Sequence, residues 1–421
     1  MLQVSEESNG SVREESSGSA REGQSQRVVR DEAYYMQDGS CILQVENTLF
    51  NVRTQVHRTL LSKDSSLFSS MFELPQSDQP VDGSSDDCPI YLNGETVDEF
   101  KNFLWVLYAL PHELSHVTSP QIDLERLNRL IDIARVSFKY HFKSIETWAL
   151  DVITEHVNRN SPPIFSLPAI PHILSGSITA TSIASTTMNN QAAAVTNPQA
   201  IASNGALVSR LMRLAQLCGH EHLLNTMITV LRQLMSFSIQ YAHLAMTLAD
   251  ELDLRSLRGI AYFEVMQKSN AVVARSSFSP TGGEDPAGHA AMIDAEGRLI
   301  VSHEQKMRLL TGYYRLSMVW ERLRSTPLPL EHSTACGATW HQHGCTQCWL
   351  EFWKEKTKSD SVLQHGLADV LGRLRAVAKE FGRWGSATYM HTDCRAIARK
   401  MIQDKIKMVE DSLADYFVDE A

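Results

Sequence analysis

Two short apolar runs, Cys41-Ile42-Leu43-Gln44-Val45-Glu46 and Leu49-Phe50-Asn51-Val52, flank the polar pair Asn47-Thr48. This pattern predicts a β-hairpin over 41–52. From Leu60 the spacing changes to three and four residues: Leu60, Leu61, Leu67, Phe68, Met71 and Phe72 mark helical faces. They fall on two successive short helices, with Asp64 or Ser65 as the N-cap between them. Pro89 precedes a short strand, Ile90 to Leu92. Thr96 and Glu99 then stand at capping-box spacing before the stripe Phe100, Phe103, Leu104 and Leu107. The expected core of this region is Leu43, Phe50, Leu60, Phe68, Phe72, Leu92, Phe103, Leu104 and Leu107.

The order of these residues resembles a BTB/POZ domain. Asp38, the His57-Arg58 pair, Ser65, Phe68 and the Met71-Phe72 pair stand at family-like spacing. Farther on, Val136-Ser137 followed by Lys139-Tyr140 resembles the helical signature after the family's core. The resemblance covers 34–159 and implies an α+β fold, an N-terminal BTB/POZ-like domain followed by mainly α-helical blocks. It also implies a protein that works by holding other proteins: a second copy of itself as a homodimer, a peptide in a groove, or a cullin scaffold. In layout the chain is similar to fungal BTB proteins with helical C-terminal blocks. It departs from the two standard BTB arrangements, having neither a kelch-like propeller nor paired Cys-His fingers. His57 reads as a hydrogen-bonded structural residue, since no partner that would orient a catalytic base is identifiable.

Composition marks the boundaries of the remainder. Residues 1–33 are read as a disordered tail rich in Ser, Glu, Gly and Arg. An acidic loop at 75–88 carries Asp86-Asp87, expected to be solvated. The stretches 160–205 and 269–300 have little amphipathic pattern and are expected to be flexible linkers. Between them a helical block spans 206–268, where Leu207, Leu211, Leu214 and Leu217 keep a helical beat.

A weak internal repeat is visible in this block. Ala249, Leu252, Leu254, Leu257 and Ala261 share the spacing of Ser137, Tyr140, Phe142, Ile145 and Ala149. Cys218, Leu223 and Val230 match it in part, with Glu221 and Thr226 at the other two positions, and Leu127-Asn128-Arg129-Leu130 resembles Leu211-Met212-Arg213-Leu214. Stacked helical hairpins would have such a signature, and so would any two unrelated amphipathic helical pairs.

The last block, 301–418, holds the one cluster that resembles chemistry. Cys345 and Cys348 form a Cys-x-x-Cys pair; Cys336, His341 or His343 could add a third metal ligand, and His391 or Cys394 a fourth. Cys336, Cys345, Cys348 and Cys394 are the candidate set for one tetrahedral zinc. The preferred expectation is simpler. Trp340, Trp349, Phe352 and Trp353 read as aromatic core, and the cysteines as small apolar residues within it. No cofactor is then required. A redox role is disfavoured because the pair lacks a strand-then-helix setting.

The chain has 421 residues, 43 % of them hydrophobic, and a formal net charge of -10, which argues against a nucleic-acid binder. No apolar run is long enough to span a membrane, and the acidic N-terminus does not read as a signal peptide. Seven cysteines imply free thiols in a reducing compartment, cytoplasmic or nuclear. No phosphate loop, Gly-x-Ser-x-Gly or His-Glu-x-x-His occurs, so the reading is a non-enzyme. An adaptor or scaffold with protein partners is the leading function. The alternatives are a transcription co-regulator recruited through other proteins and a zinc-stabilised binding module in the last block.

Overall fold

Cys41, Ile42, Leu43, Gln44 and Val45 are all buried, so this run is covered on both faces and forms the centre of a sheet. Gln44, the polar residue within the run, is 2 % exposed. The structure is a computed structural model that describes residues 29–46, 52–74, 82–117, 123–159, 198–268, 271–273, 298–337, 339–384 and 389–418. Phe50, residues 1–28 of the expected tail and 160–197 of the expected first linker lie outside them. Two compact units result, one of 1–114 with 136–145 and one of 115–135 with 146–421. Residues 115–135 and 146–159, read from the sequence with the N-terminal domain, thus group with the second unit.

In the first unit, β1 (Val29–Tyr35), β2 (Cys41–Glu46), β3 (Val52–Val56) and β4 (Ile90–Asn93) form a sheet in the order β1-β3-β2-β4. β2 and β3 pair antiparallel from Cys41↔Val56 to Val45↔Val52, which is the expected hairpin with its second strand shifted toward Val56. β4 runs parallel to β2, and β1 runs parallel to β3. The expected tail therefore gives way to a strand at Val29. Asp31 secures it by accepting from the Ala33 and Tyr34 amides at 2.9 Å and by pairing with Lys101 at 2.8 Å.

Three short turns of helix follow the sheet: α1 (Arg58–Leu61), a 3-10 turn (Lys63–Ser65) and α2 (Leu67–Phe72). The cap of α2 is Ser66, whose hydroxyl accepts from the Ser69 amide, in place of the expected Asp64 or Ser65. Asp64 instead caps another helix. Its carboxylate accepts from the Ser144 amide at 2.5 Å and the Ser144 hydroxyl at 2.8 Å, at the start of the helix Lys143–Arg159. That places a negative charge where the helix dipole favours it.

The helix α3 (Val97–Tyr108) begins with the expected capping box, Thr96 and Glu99 exchanging hydrogen bonds at 3.2 and 3.0 Å. Thr96→Ala should lower stability by about 1 kcal/mol, read as a reduced midpoint in urea.

Phe68 stacks on Tyr140 with ring centroids 4.7 Å apart, and Phe103 meets Phe142 edge-on at 5.0 Å. Of the expected core, Leu43, Phe68, Leu92, Phe103 and Leu104 are buried. Leu60, Phe72 and Leu107 are only half-buried. Leu61 takes the inward position next to Leu60, and Phe72 lies at the margin with the Arg58 guanidinium 4.7 Å over its ring. In the described part of the acidic loop Asp87 is exposed as expected, whereas Asp86 is partly buried. Gly83, at φ 78°, lets its carbonyl accept from the Ile42 amide at 2.8 Å, and Asp86 is held by Arg30 and by the Tyr35 hydroxyl.

Three helical hairpins share one turn. In each, a residue with positive φ follows the first helix: His141, Gly219 and Asp253. The amide after it reaches back five residues, Phe142 to Ser137, His220 to Ala215 and Leu254 to Ala249, at 2.8, 2.8 and 3.0 Å. This is the Schellman bond. The match of Ser137 to Ala249 is the register read from the sequence. For the middle member, however, the matching residues are Ala215, Cys218, His220, Leu223 and Met227, three residues earlier than Cys218, Glu221, Leu223, Thr226 and Val230. The string at Leu127 does not fall in this register with Leu211.

In the second unit, helices Pro198–Leu217, Glu221–Phe237, Ile239–Glu251 and Arg255–Lys268 pack in succession. The first of these begins eight residues before the expected boundary at 206, with Pro198 in the first turn, where its missing N–H leaves no bond unmade. Strands Ala271–Val273 and Leu299–Val301 pair in parallel and so bind together the two ends of the expected linker 269–300. Apolar runs this short lie below the length at which a strand pattern can be read.

Candidate interaction domain and a cysteine–histidine cluster

In the first unit the motif residues hold one another. The Tyr108 hydroxyl lies 3.0 Å from the His57 amide and 3.1 Å from its Nδ1, and Asp38 lies 3.5 Å from Nε2. The Arg58 amide donates to the Ser40 hydroxyl at 2.9 Å, and its guanidinium covers Phe72. Ser65 is exposed with φ 53°, and Met71 is partly buried against the core. Lys139 reaches the Glu95 carboxylate and the Asn93 carbonyl, while burial and the neighbouring Glu95 push the Tyr140 phenol far above its ordinary pKa. Tyr108 and Glu95 were not legible as partners in the sequence, because each lies about fifty residues from the group it meets.

In the second unit, the helix His303–Ser325 ends in a segment that runs along the helix Thr339–Lys356. Trp353 donates its indole N–H to the Leu323 carbonyl at 2.8 Å and Trp349 to that of Leu328 at 2.7 Å. Trp349, Phe352 and Trp353 form the aromatic core read from the sequence, whereas Trp340 is 70 % exposed. This anchoring brings His332 and Cys336 over Cys345. The helix Thr392–Asp411 approaches with Cys394 in its first turn.

The ligand atoms of His332, Cys336, Cys345 and Cys394 all lie within 4.8 Å of one another. The Cys336 and Cys345 sulfurs are 3.9 Å apart, and the Cys394 sulfur is 3.8 Å from His332 Nδ1. The three cysteines are buried and His332 is half-buried. Backbone amides of Ser333 and His391 donate to the sulfurs of Cys394 and Cys345 at 3.5 and 3.3 Å. Burial, followed by Cys394 and Cys345 beside it, pushes the Cys336 thiol up to about 12.

The set differs by one residue from the one read in the sequence. Cys348 is not among the four, and His332 stands in its place. On a regular helix Cys348 lies about 4.5 Å farther along the axis than Cys345 and about 60° round it, away from the point where the other ligand atoms meet. His341 and His343 are exposed, and His391 contributes its amide and not its ring. His332 stands four residues before Cys336, a spacing that by itself is only a weak ligand signal.

The first unit is thus a four-stranded sheet followed and covered by short helices, with its motif residues engaged in packing. Residues 37–138 match the BTB/POZ domain family, and the chain carries a BTB/POZ domain. No curated protein and no solved structure matches the chain. Among the described residues no helix is long and apolar enough to cross a membrane.

Proposed function

We propose that the chain is an adaptor or scaffold that holds other proteins through its BTB/POZ domain. The family match over 37–138 carries this reading. The geometry supports it, because His57, Arg58, Lys139 and Tyr140 are committed to neighbours within their own unit. The first unit also exposes large apolar side chains on and beside α2, with Leu67 at 44 % and Leu74 at 63 %.

Self-association is the first form of holding expected, since a symmetric dimer is the commonest soluble oligomer. Sedimentation of the full chain at micromolar concentration should give a dimer, and the double change Leu67→Asp with Leu74→Asp should give a monomer. A wild-type monomer throughout that range would remove self-association and leave binding of a different chain. Affinity purification with mass spectrometry then separates the partner classes. Cullin subunits would support a ligase adaptor, chromatin proteins a co-regulator, and recovery of no protein partner would count against the adaptor reading itself.

A further inference from the structure

Three thiols and an imidazole meet at one point in the second unit, drawn from three separate segments: Thr334–Cys336 with the residues just before it, Thr339–Lys356 and Thr392–Asp411. A cluster of small apolar residues would not require a histidine, nor the alignment found around it. Thr346 Oγ1 donates its one proton to the Gln342 carbonyl at 3.0 Å. Its contact with His332 Nε2, also 3.0 Å, must therefore be an Nε2–H donating to the hydroxyl. The lone pair of His332 is then on Nδ1, the atom that faces the sulfurs. An imidazole fixed in this way by a hydrogen bond from its far nitrogen is the usual arrangement of a metal-bound histidine.

Two of the three sulfurs, those of Cys394 and Cys345, also receive backbone N–H groups. Four ligands about 2.0–2.3 Å from a central ion in a tetrahedron stand about 3.5–3.8 Å from one another. The separations of 3.9 Å between the Cys336 and Cys345 sulfurs and 3.8 Å between the Cys394 sulfur and His332 Nδ1 are close to that figure. Three soft thiolates with one imidazole select zinc over the hard cations, and four protein ligands leave no open position for substrate.

We propose that His332, Cys336, Cys345 and Cys394 together bind one structural zinc ion. The ion ties the segment after His303–Ser325 and the first turn of Thr392–Asp411 to the helix Thr339–Lys356. Each thiol gives its proton to solvent on binding, and no electron is transferred.

The test uses the full chain, purified under reducing conditions without added metal. Elemental analysis should find about one zinc per chain, released to a colorimetric chelator when the thiols are modified. Replacing zinc by cobalt should give the visible bands of a tetrahedral thiolate site. Cys345→Ser should abolish the zinc content. Cys348→Ser should keep it, which separates this set from one containing the Cys-x-x-Cys pair. Should Cys345→Ser fail to fold, His332→Cys, which still offers four ligands, should retain zinc while altering the cobalt spectrum. A folded wild-type chain without zinc that takes up no cobalt would overturn the proposal. So would a Cys336–Cys345 disulfide found in the freshly purified protein, or zinc lost in Cys348→Ser and kept in Cys345→Ser.

Discussion

Phe103→Ala should remove a large fraction of the first unit's stability, with a loss of about 3–5 kcal/mol. The side chain is fully buried. Its ring lies 5.0 Å from Phe142, 5.9 Å from Phe100 and 6.4 Å from Tyr140, so its removal strips contacts from α3 and from the segment around 140 at once. These neighbours are held by the Thr96 capping box on one side and by Lys139 bound to Glu95 on the other, which limits collapse into the space. Domains of this size have a total stability of only about 5–15 kcal/mol, so the loss is a large fraction. Hydrogen exchange should accelerate across 41–46 and 97–108, and urea denaturation should show an early first transition. Unchanged protection of Leu43 and Val45 would show that Phe103 does not organise the sheet.

Gly259→Ala should release the C-terminal segment from the second unit. A Cβ at Gly259 would stand 2.4 Å from the Ala414 nitrogen and 2.8 Å from the Leu413 carbonyl carbon. These are backbone atoms, which cannot rotate away as a side-chain tip would. A second glycine lies against the same segment: a Cβ at Gly312 would meet the Phe417 ring at 2.1 Å. Phe417 is fully buried and lies 5.4 Å from the Tyr262 ring, whose hydroxyl donates to Asp250 at 2.7 Å. Overpacking here should destabilise the unit by about 1–3 kcal/mol or more, and 413–418 should become the first site of proteolytic cleavage. Gly344→Ala is the control. It meets nothing within 4 Å and lies inside a helix, where alanine should instead stabilise by up to about 1 kcal/mol. A C-terminus equally protected in both variants would mean that the close approach at Gly259 does not exist in solution.

Much of this was legible along the chain, because it depends on neighbours. The Thr96–Glu99 box, the hairpin beginning at Cys41, the short helices after His57 and the aromatic run Trp349-Phe352-Trp353 all follow from spacing of a few residues. The order of motif residues carried the BTB/POZ domain for the same reason. The repeat from Ser137 to Ala249 was legible as well, through the residues flanking each left-handed turn. Its middle member was misplaced by three residues, because His220 stands after the turn where Phe142 and Leu254 present an apolar side chain.

What the chain could not display were pairings whose members are far apart. Val29–Tyr35 has no strong strand pattern and becomes a strand by hydrogen bonding to β3. Ala271–Val273 and Leu299–Val301 are too short to predict and are made by each other. Asp64 looked like the cap of the helix that follows it, yet the fold turns its carboxylate to Ser144. The cluster shows the division most clearly. The sequence by itself supplied three of its four members, since cysteines are few and conspicuous. Only tertiary structure exchanged Cys348 for His332. Helix geometry carries Cys348 past the meeting point, and the indole bonds of Trp349 and Trp353 hold the preceding segment where His332 Nδ1 faces the sulfurs.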